Sequence, residues 1–288
     1  MTIDITTLFV CLDDFCKLYE SSLKAKTLPT CKTRQRQGYL SLSEMLLIEI
    51  LYHFSHYKNF KYFYIHDILG RHRNKFNKLP CYDRFTASKK RLFMPLTLLL
   101  HSLCGEETGL YFADSTPLKV CHNKRINNHK VFEGLAERGK STMGWFFGFK
   151  LHIVINHKGQ IMAVKITPGN TDDRAALGDM VKHLQGKCYA DKGYIGKKIF
   201  TELWGHGLHL ITGIRRNMKN NLMPFIDKVL LRKRFIIETI FGVMKTDFNL
   251  EHSRHRSPIN AFVSILACLV AYAYKTDKPK IRAFLIEP

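Results

Sequence analysis

The 288-residue sequence predicts an α/β protein, a mixed sheet flanked by helices and preceded by an all-α N-terminal region. Three observations carry that expectation. Up to about residue 105, apolar side chains recur at helical spacing. From about residue 109 the period shortens to strand-like alternation. After that, short apolar runs alternate with helical stretches, the pattern of a sheet covered by helices. Hydrophobic residues make up 45% of the chain and include 20 Phe and 12 Tyr, far more than a disordered chain carries. The expected organisation is a helical region over 1–105, an α/β domain over 106–275 and a short tail over 276–288.

Each element has its own warrant. Ile5, Leu8, Phe9, Leu12, Phe15 and Tyr19 are spaced for one helix face. A polar, basic stretch over 24–37 contains Pro29. Ser41 and Glu44 form a capping box whose side chains satisfy orphan N–H groups of a helix through Leu46, Leu47, Ile50 and Leu51. Further helices are expected over 60–69 and 82–104, the second kinked or split at Pro95. Strands follow at 110–113, 147–155 and 161–166, the last two joined by a hairpin turn at 156–159. Asp172 and Asp173 cap a helix reaching about residue 184. A strand at 187–190, a helix at 195–204, a strand at 208–214 and one long helix over 225–247 complete the domain. The apolar segment Ile259 to Tyr274 contains Asn260 and Ser264. It falls short of the ~20 apolar residues a membrane span needs, so a buried helix is expected. Trp145 and Trp204 are expected in the core.

Charge narrows the function. Forty-five Lys and Arg against 24 Asp and Glu give a net charge of +21. A folded chain bears such self-repulsion most readily when its partner is a polyanion. The basic residues are spread over loops and several helices, not one amphipathic face, which favours nucleic acid over a membrane surface. The eight Cys contain no CxxC pair and no zinc-finger spacing. Free thiols in a reducing cytoplasm are expected, and the N-terminus has no secretory pattern.

Two strands end alike, in Phe112-Ala113-Asp114-Ser115-Thr116 and in Tyr189-Ala190-Asp191-Lys192-Gly193. Pro117 and Gly193 predict that the chain leaves the sheet after each Asp, where ligands of open α/β sheets collect. Either Asp alone is explained as an ordinary turn residue; the shared template weighs against that. Arg234, Glu238 and Lys245 fall on one helix face. Glu238 sits among Phe235, Ile236, Ile237, Ile240 and Phe241, a costly setting for a carboxylate unless it is paired or binds a cation. An Arg–Glu pair on a solvated face is the plainer alternative. Three carboxylates from two strands and a helix suit Mg²⁺, with Mn²⁺ as substitute, expected as two ions for chemistry at phosphorus.

These residues resemble the DDE transposases of bacterial insertion sequences, most closely the insertion-sequence 982 family. The resemblance rests on five ordered blocks: residues 111–117, 145–152, 167–173 and 189–194, and Arg234 through Glu238 to Lys245. Related transposases carry Tyr-x2-Arg-x3-Glu-x6-Lys around the Glu; here the Tyr position is Leu231. The resemblance implies an RNase H-like core in which Asp114, Asp191 and Glu238 are the catalytic, metal-holding triad. It further implies hydrolysis at the element ends, strand transfer by the freed 3′-hydroxyl, double-stranded DNA as partner (terminal inverted repeats and target), and a homodimer on paired ends in the nucleoid of a bacterial or archaeal cytoplasm.

Candidate DNA contacts are Arg234 and Lys245, with Lys245 equally explained as a solvated helix-end residue. Lys119, Lys124, Arg125 and Lys130 belong to a basic segment over 119–140 expected to clamp DNA. Lys89, Lys90 and Arg91 lie in the helical region and are candidate phosphate contacts of a helix-turn-helix for the element ends, although no recognition helix stands out. A hydrolysis-only nuclease or domesticated transposase, and a catalytically dead DNA-binding regulator, are the rival functions.

Overall fold

The computed structural model describes residues 4–26, 38–218, 222–251 and 255–281. Most of the basic stretch over 24–37 and the end of the tail lie outside these. In chain order the elements are α1 (Ile5–Lys26), α2 (Leu42–Phe54), α3 (Phe60–Phe63), α4 (Tyr82–Ser88), α5 (Phe93–Ser102), β1 (Leu110–Cys121), β2 (Glu137–Ser141), β3 (Gly144–Asn156), β4 (Ile161–Pro168), α6 (Asp173–Met180), β5 (Gly186–Ala190), α7 (Lys197–Gly205), β6 (Leu208–Thr212), α8 (Phe225–Lys233), α9 (Ile236–Thr246) and α10 (Pro258–Tyr274). A π-helical stretch, Tyr64–Arg71, continues α3. The chain divides into two compact units, one of residues 1–102, 246–250 and 255–274, the other of 103–245, 251–254 and 275–288.

The first unit is helical. Its capping box forms as expected: Ser41 Oγ accepts from the Glu44 amide at 3.1 Å and Glu44 Oε2 accepts from the Ser41 amide at 2.7 Å. α1 packs on α2, and α10 packs on both α2 and α5. The C-terminal helix therefore joins the N-terminal helices, where the sequence had suggested it belonged with the sheet. Val263, Ala267, Leu269 and Val270 are fully buried in it; each fully buried Leu or Val is worth about 1.5–3 kcal/mol. Among the described residues no helix is long and apolar enough to cross a membrane. The expected 82–104 helix is split, but at a 3₁₀ turn over Lys89–Leu92, ahead of Pro95. Pro95 sits in the first turn of α5, where the missing N–H costs nothing. Lys89 is buried in that turn. Its Nζ lies 2.7 Å from Glu49 Oε1 and 3.8 Å from the centre of the Phe60 ring.

The second unit is a curled mixed sheet in the order β2-β3-β1-β5-β6, with β4 also on β3. β1 runs antiparallel to β3 and parallel to β5, and β5 runs parallel to β6. One edge of β3 pairs with β1; the other is shared, β2 pairing with residues 144–148 and β4 with 149–155. The turn between β3 and β4 contains Gly159 at φ +74°, where a Cβ would meet the Pro279 carbonyl at 2.0 Å. Side chains alternate across the sheet. Tyr111, Ala113, Cys188 and Ala190 face α6 and α7 in one core cluster, with Leu177, Leu184 and Leu203. Phe112 and Tyr189 stack on the opposite face, at 5.4 Å.

Two expectations are corrected. β1 does not end at Asp114 but runs on to Cys121, with Pro117 opposite Lys150. Beyond Ala113 it has lost β5 as a neighbour, so one edge is open, and an edge tolerates proline. The expected 225–247 helix breaks at Arg234 and Phe235 into α8 and α9.

Candidate active site

Parallel register explains the two matching Asp residues. The last pair between β1 and β5 is Ala113 with Ala190. Asp114 and Asp191 are the next residue on each strand, side by side where the two strands part. Alternation turns both toward the Phe112 and Tyr189 face, away from α6.

α8 reaches that face through a buried polar anchor. Asp227 accepts from Lys187 Nζ at 2.8 and 3.1 Å and from the Tyr189 hydroxyl at 2.8 Å. This pins α8 to β5, and the chain turns at Arg234. The only sequence sign of Asp227 was a lone acid in an apolar helix, too common a feature to single out. The Ile237 amide bonds to the Arg234 carbonyl at 3.0 Å as α9 begins, which keeps Arg234 and Glu238 within reach despite the break.

One guanidinium gathers the site. Arg234 Nη1 lies 2.9 Å from Asp114 Oδ2, while Nη2 lies 2.9 Å from Glu238 Oε1 and 4.0 Å from Asp191 Oδ1. Asp114 is 20% exposed, Asp191 and Glu238 more than half. Burial pushes the Asp114 carboxyl up to about 6, although Arg234 and the Ser115 amide, which donates to Oδ1 at 2.8 Å, both favour its anion. Three carboxylates share one guanidinium, so the ionised cluster is formally two negative charges in excess.

That excess bears on the expected metal. The donors are all oxygen, they come from β1, the end of β5 and α9, and their surplus charge equals that of one divalent cation. This chemistry fits Mg²⁺ or Mn²⁺. The acids are nonetheless spread around the guanidinium, and among the described residues no three His, Cys, Asp or Glu are grouped closely enough to hold a metal ion.

The remaining candidates fall in several places. Lys245 Nζ donates to the Pro117 carbonyl at 3.4 Å and pairs with Glu251 at 3.2 Å, tying the end of α9 to β1. Lys119 is exposed on β1; Lys124, Arg125 and Lys130 are exposed in or just after a 3₁₀ turn over Asn123–Asn128. Lys90 and Arg91 are exposed, but Lys89 is buried on Glu49 and is corrected as a phosphate contact. Asp172 caps α6, accepting from the Arg174 amide at 2.9 Å. Asp173 accepts from Lys150 at 3.0 Å and faces His152 at 3.7 Å. His152 pairs with Ser115, on the opposite face from Asp114. Burial pushes its imidazole down to about 4, with Asp173 opposing. Trp145 and Trp204 are not core residues: they are 52% and 61% exposed.

A sequence model for the transposase DDE domain matches residues 104–258, which include Asp114, Asp191, Arg234, Glu238 and Lys245. Among solved structures, the chain is similar to the piggyBac transposase in a synaptic complex with hairpin DNA, determined by cryo-EM. The TM-score is 0.54 at 8% identity, covering 94% of this chain and 74% of that one. A likeness at that identity is one of fold. No curated protein matches the sequence.

Proposed function

Because the chain belongs to the transposase DDE domain family, enzymes acting on DNA as nucleases and transposases, we propose that it cleaves DNA strands at the ends of a mobile element and joins them to target DNA. The observation that carries this is the convergence of Asp114, Asp191 and Glu238 on Arg234 where β1 and β5 part. We assign the chain to bacterial insertion sequences near the 982 family on its motif blocks. The antiparallel strands β1, β3 and β4, with β2 as an additional strand on β3, followed by the parallel β5 and β6, support an RNase H-like core. In this reading the helical region binds element ends, the working form is a homodimer on paired ends, and the setting is the nucleoid.

Asp114, Asp191 and Glu238 are the side chains that would hold Mg²⁺ or Mn²⁺. When bound, such ions supply a polarised water or 3′-hydroxyl and charge for the leaving oxygen in an in-line displacement at phosphorus. The protein contributes placement. Register sets Asp114 and Asp191 side by side, the Asp227 anchor sets α8, and the turn at Arg234 aims Glu238 at the same point. Arg234 holds the acids in mutual orientation and offers its charge to a phosphate drawn between them. Lys119, Lys124, Arg125 and Lys130 hold the flanking backbone, and Lys245 fixes the end of α9 on β1.

The test is Asp191→Asn on duplex DNA carrying the element ends, with Mg²⁺ or Mn²⁺. DNA binding persists, and cleavage falls on the order of 10³-fold, as losing several kcal/mol of charge stabilisation implies. Cleavage at the parent rate removes Asp191 from the site. Pre-cut ends then test joining: a protein that only ever nicks is a nuclease.

A further inference from the structure

The hairpin formed by β2 and β3 has two unlike faces. Phe146 points inward and is buried, and Gly139 lies so close to the Gly169 carbonyl that a Cβ would meet it at 2.1 Å. Arg138, Lys140, Trp145 and Phe147 share the other face, with Lys140 opposite Trp145 and Arg138 opposite Phe147. Phe147 is covered, packed edge-on against His129 at 6.2 Å. Trp145, the next residue outward on that face, is half exposed. The Arg138 guanidinium lies 5.0 Å from the centre of its indole and the Lys140 ammonium 5.8 Å. Asn123 Nδ2 donates to the Trp145 carbonyl at 2.8 Å, and the exposed Lys124 and Arg125 follow Asn123 in the chain. At the tip, Met143 is 88% exposed and Gly144 turns the chain at φ +104°.

We propose that Trp145, with Arg138 and Lys140, is a stacking site for an unpaired base of DNA. The inference rests on the reading of the chain as a DNA enzyme. An indole flanked by two cations matches a ligand having both an aromatic face and a phosphate on each side, which is a nucleotide in a strand. In duplex DNA the base faces are hidden in the stack, so the ligand is unpaired or displaced. The other exposed tryptophan makes the contrast. Trp204 packs against Phe200 at 6.3 Å and His209 at 5.0 Å, and among the described residues no Lys or Arg lies over its ring. An exposed indole without cations offers nothing to phosphate.

The site is separate from the acids. Asp114 pairs with Ile153, eight residues along β3 from Trp145, which at ~3.3 Å per residue is at most ~26 Å. At the ~3.4 Å per nucleotide of a duplex strand, a span of that length corresponds to about eight nucleotides.

The chain has two tryptophans, so fluorescence separates them. Trp204→Phe leaves Trp145 as the only tryptophan, excited apart from the tyrosines at the red edge of absorption, and Trp145→Phe leaves Trp204. The probes are a twelve-nucleotide oligothymidylate and a fully paired hairpin duplex, added to the full-length protein without divalent metal. Oligothymidylate quenches the Trp204→Phe protein by half or more and leaves the Trp145→Phe protein nearly unchanged. Trp145→Ala, with its melting temperature checked against the parent, binds oligothymidylate about tenfold more weakly, while Trp145→Phe retains most of the affinity. Oligothymidylate that binds without quenching Trp145 overturns the proposal. So does duplex that quenches it as strongly, because that marks groove contact and not stacking. If neither DNA binds, the DNA reading fails as well; if the duplex binds and only the quenching is missing, the stacking site alone is lost.

Discussion

Glu49 in the helical unit and Asp114 in the sheet unit are both carboxylates set among apolar side chains and faced by a basic residue. Glu49 is fully buried and among the described residues has one charged partner, Lys89, which is itself buried against the Phe60 ring. Asp114 is one of three acids on Arg234, and the other two are open to solvent. The first arrangement is closed: one buried anion against one buried cation. The second has two negative charges left over and an open side. Burial raises both carboxyls above their ordinary value, so a perturbed acid alone does not mark a site. Surplus charge with access does.

The sharpest way to break this comparison is to remove each base. Lys89→Met leaves an unpaired buried carboxylate, and losing one member of a buried pair typically costs about 3–5 kcal/mol. The same change at Arg234 costs far less, because water reaches Asp191 and Glu238. Urea unfolding of the two variants measures the difference; equal losses would mean the two clusters are alike. Adding Glu49→Gln to Lys89→Met recovers much of the stability. Duplex DNA binding by that double variant stays at the parent level if Lys89 is structural, and a selective loss of binding restores Lys89 as a phosphate contact.

How far these differences could be read in advance depends on the residue. Asp114 and Asp191 were legible because parallel pairing repeats the same Ala-Asp step on adjacent strands. The hairpin turn at Gly159, the cap at Asp172 and the burial of α10 were legible because local chemistry dictates each. The break at Arg234 was not, because helical periodicity runs through it and only tertiary anchoring, by Asp227 on one side and the acids on the other, shows the turn. Lys89-Lys90-Arg91 looked like a single basic patch; the 3₁₀ turn buries its first member and exposes the next two. The hairpin of β2 and β3 was not legible: residues 119–140 read as a basic loop and Trp145 as a core residue, because the sequence does not tell that His129 packs on Phe147 and leaves Trp145 half exposed.

A smaller effect sharpens the Asp114 side. Its carboxyl titrates near 6, raised mainly by burial and held down by Arg234. Below that pH the metal-free carboxyl is neutral and a poor cation ligand, so at limiting Mg²⁺ cleavage rises as pH passes through about 6, and excess Mg²⁺ shifts that limb to lower pH. The effect on folding has the opposite sign. A carboxyl raised in the folded state contributes its stability at low pH and loses it as pH climbs through about 6. Arg234→Gln removes the guanidinium that favours the anion, so the acid limb of cleavage moves to higher pH in whatever activity remains. A limb that stays in place uncouples Arg234 from Asp114.

The smallest effect concerns the exposed half of the Lys89-Lys90-Arg91 triplet. If Lys90 and Arg91 each neutralise one phosphate, replacing either by Ala lowers the slope of log affinity against log salt by about 0.9 and weakens binding uniformly across sequences. Lys124→Ala and Arg125→Ala, in the sheet unit, provide the matched comparison. Filter binding between 50 and 200 mM salt resolves a change of that size, about one unit of slope. If only the Lys124 and Arg125 variants lower the slope, the +21 charge of the chain acts on DNA through the sheet unit alone. If only Lys90 and Arg91 do, the basic segment after β1 is a solvated surface. A change in all four assigns DNA contact to both units, the division of labour expected of a protein that holds an element end with one and acts on it with the other.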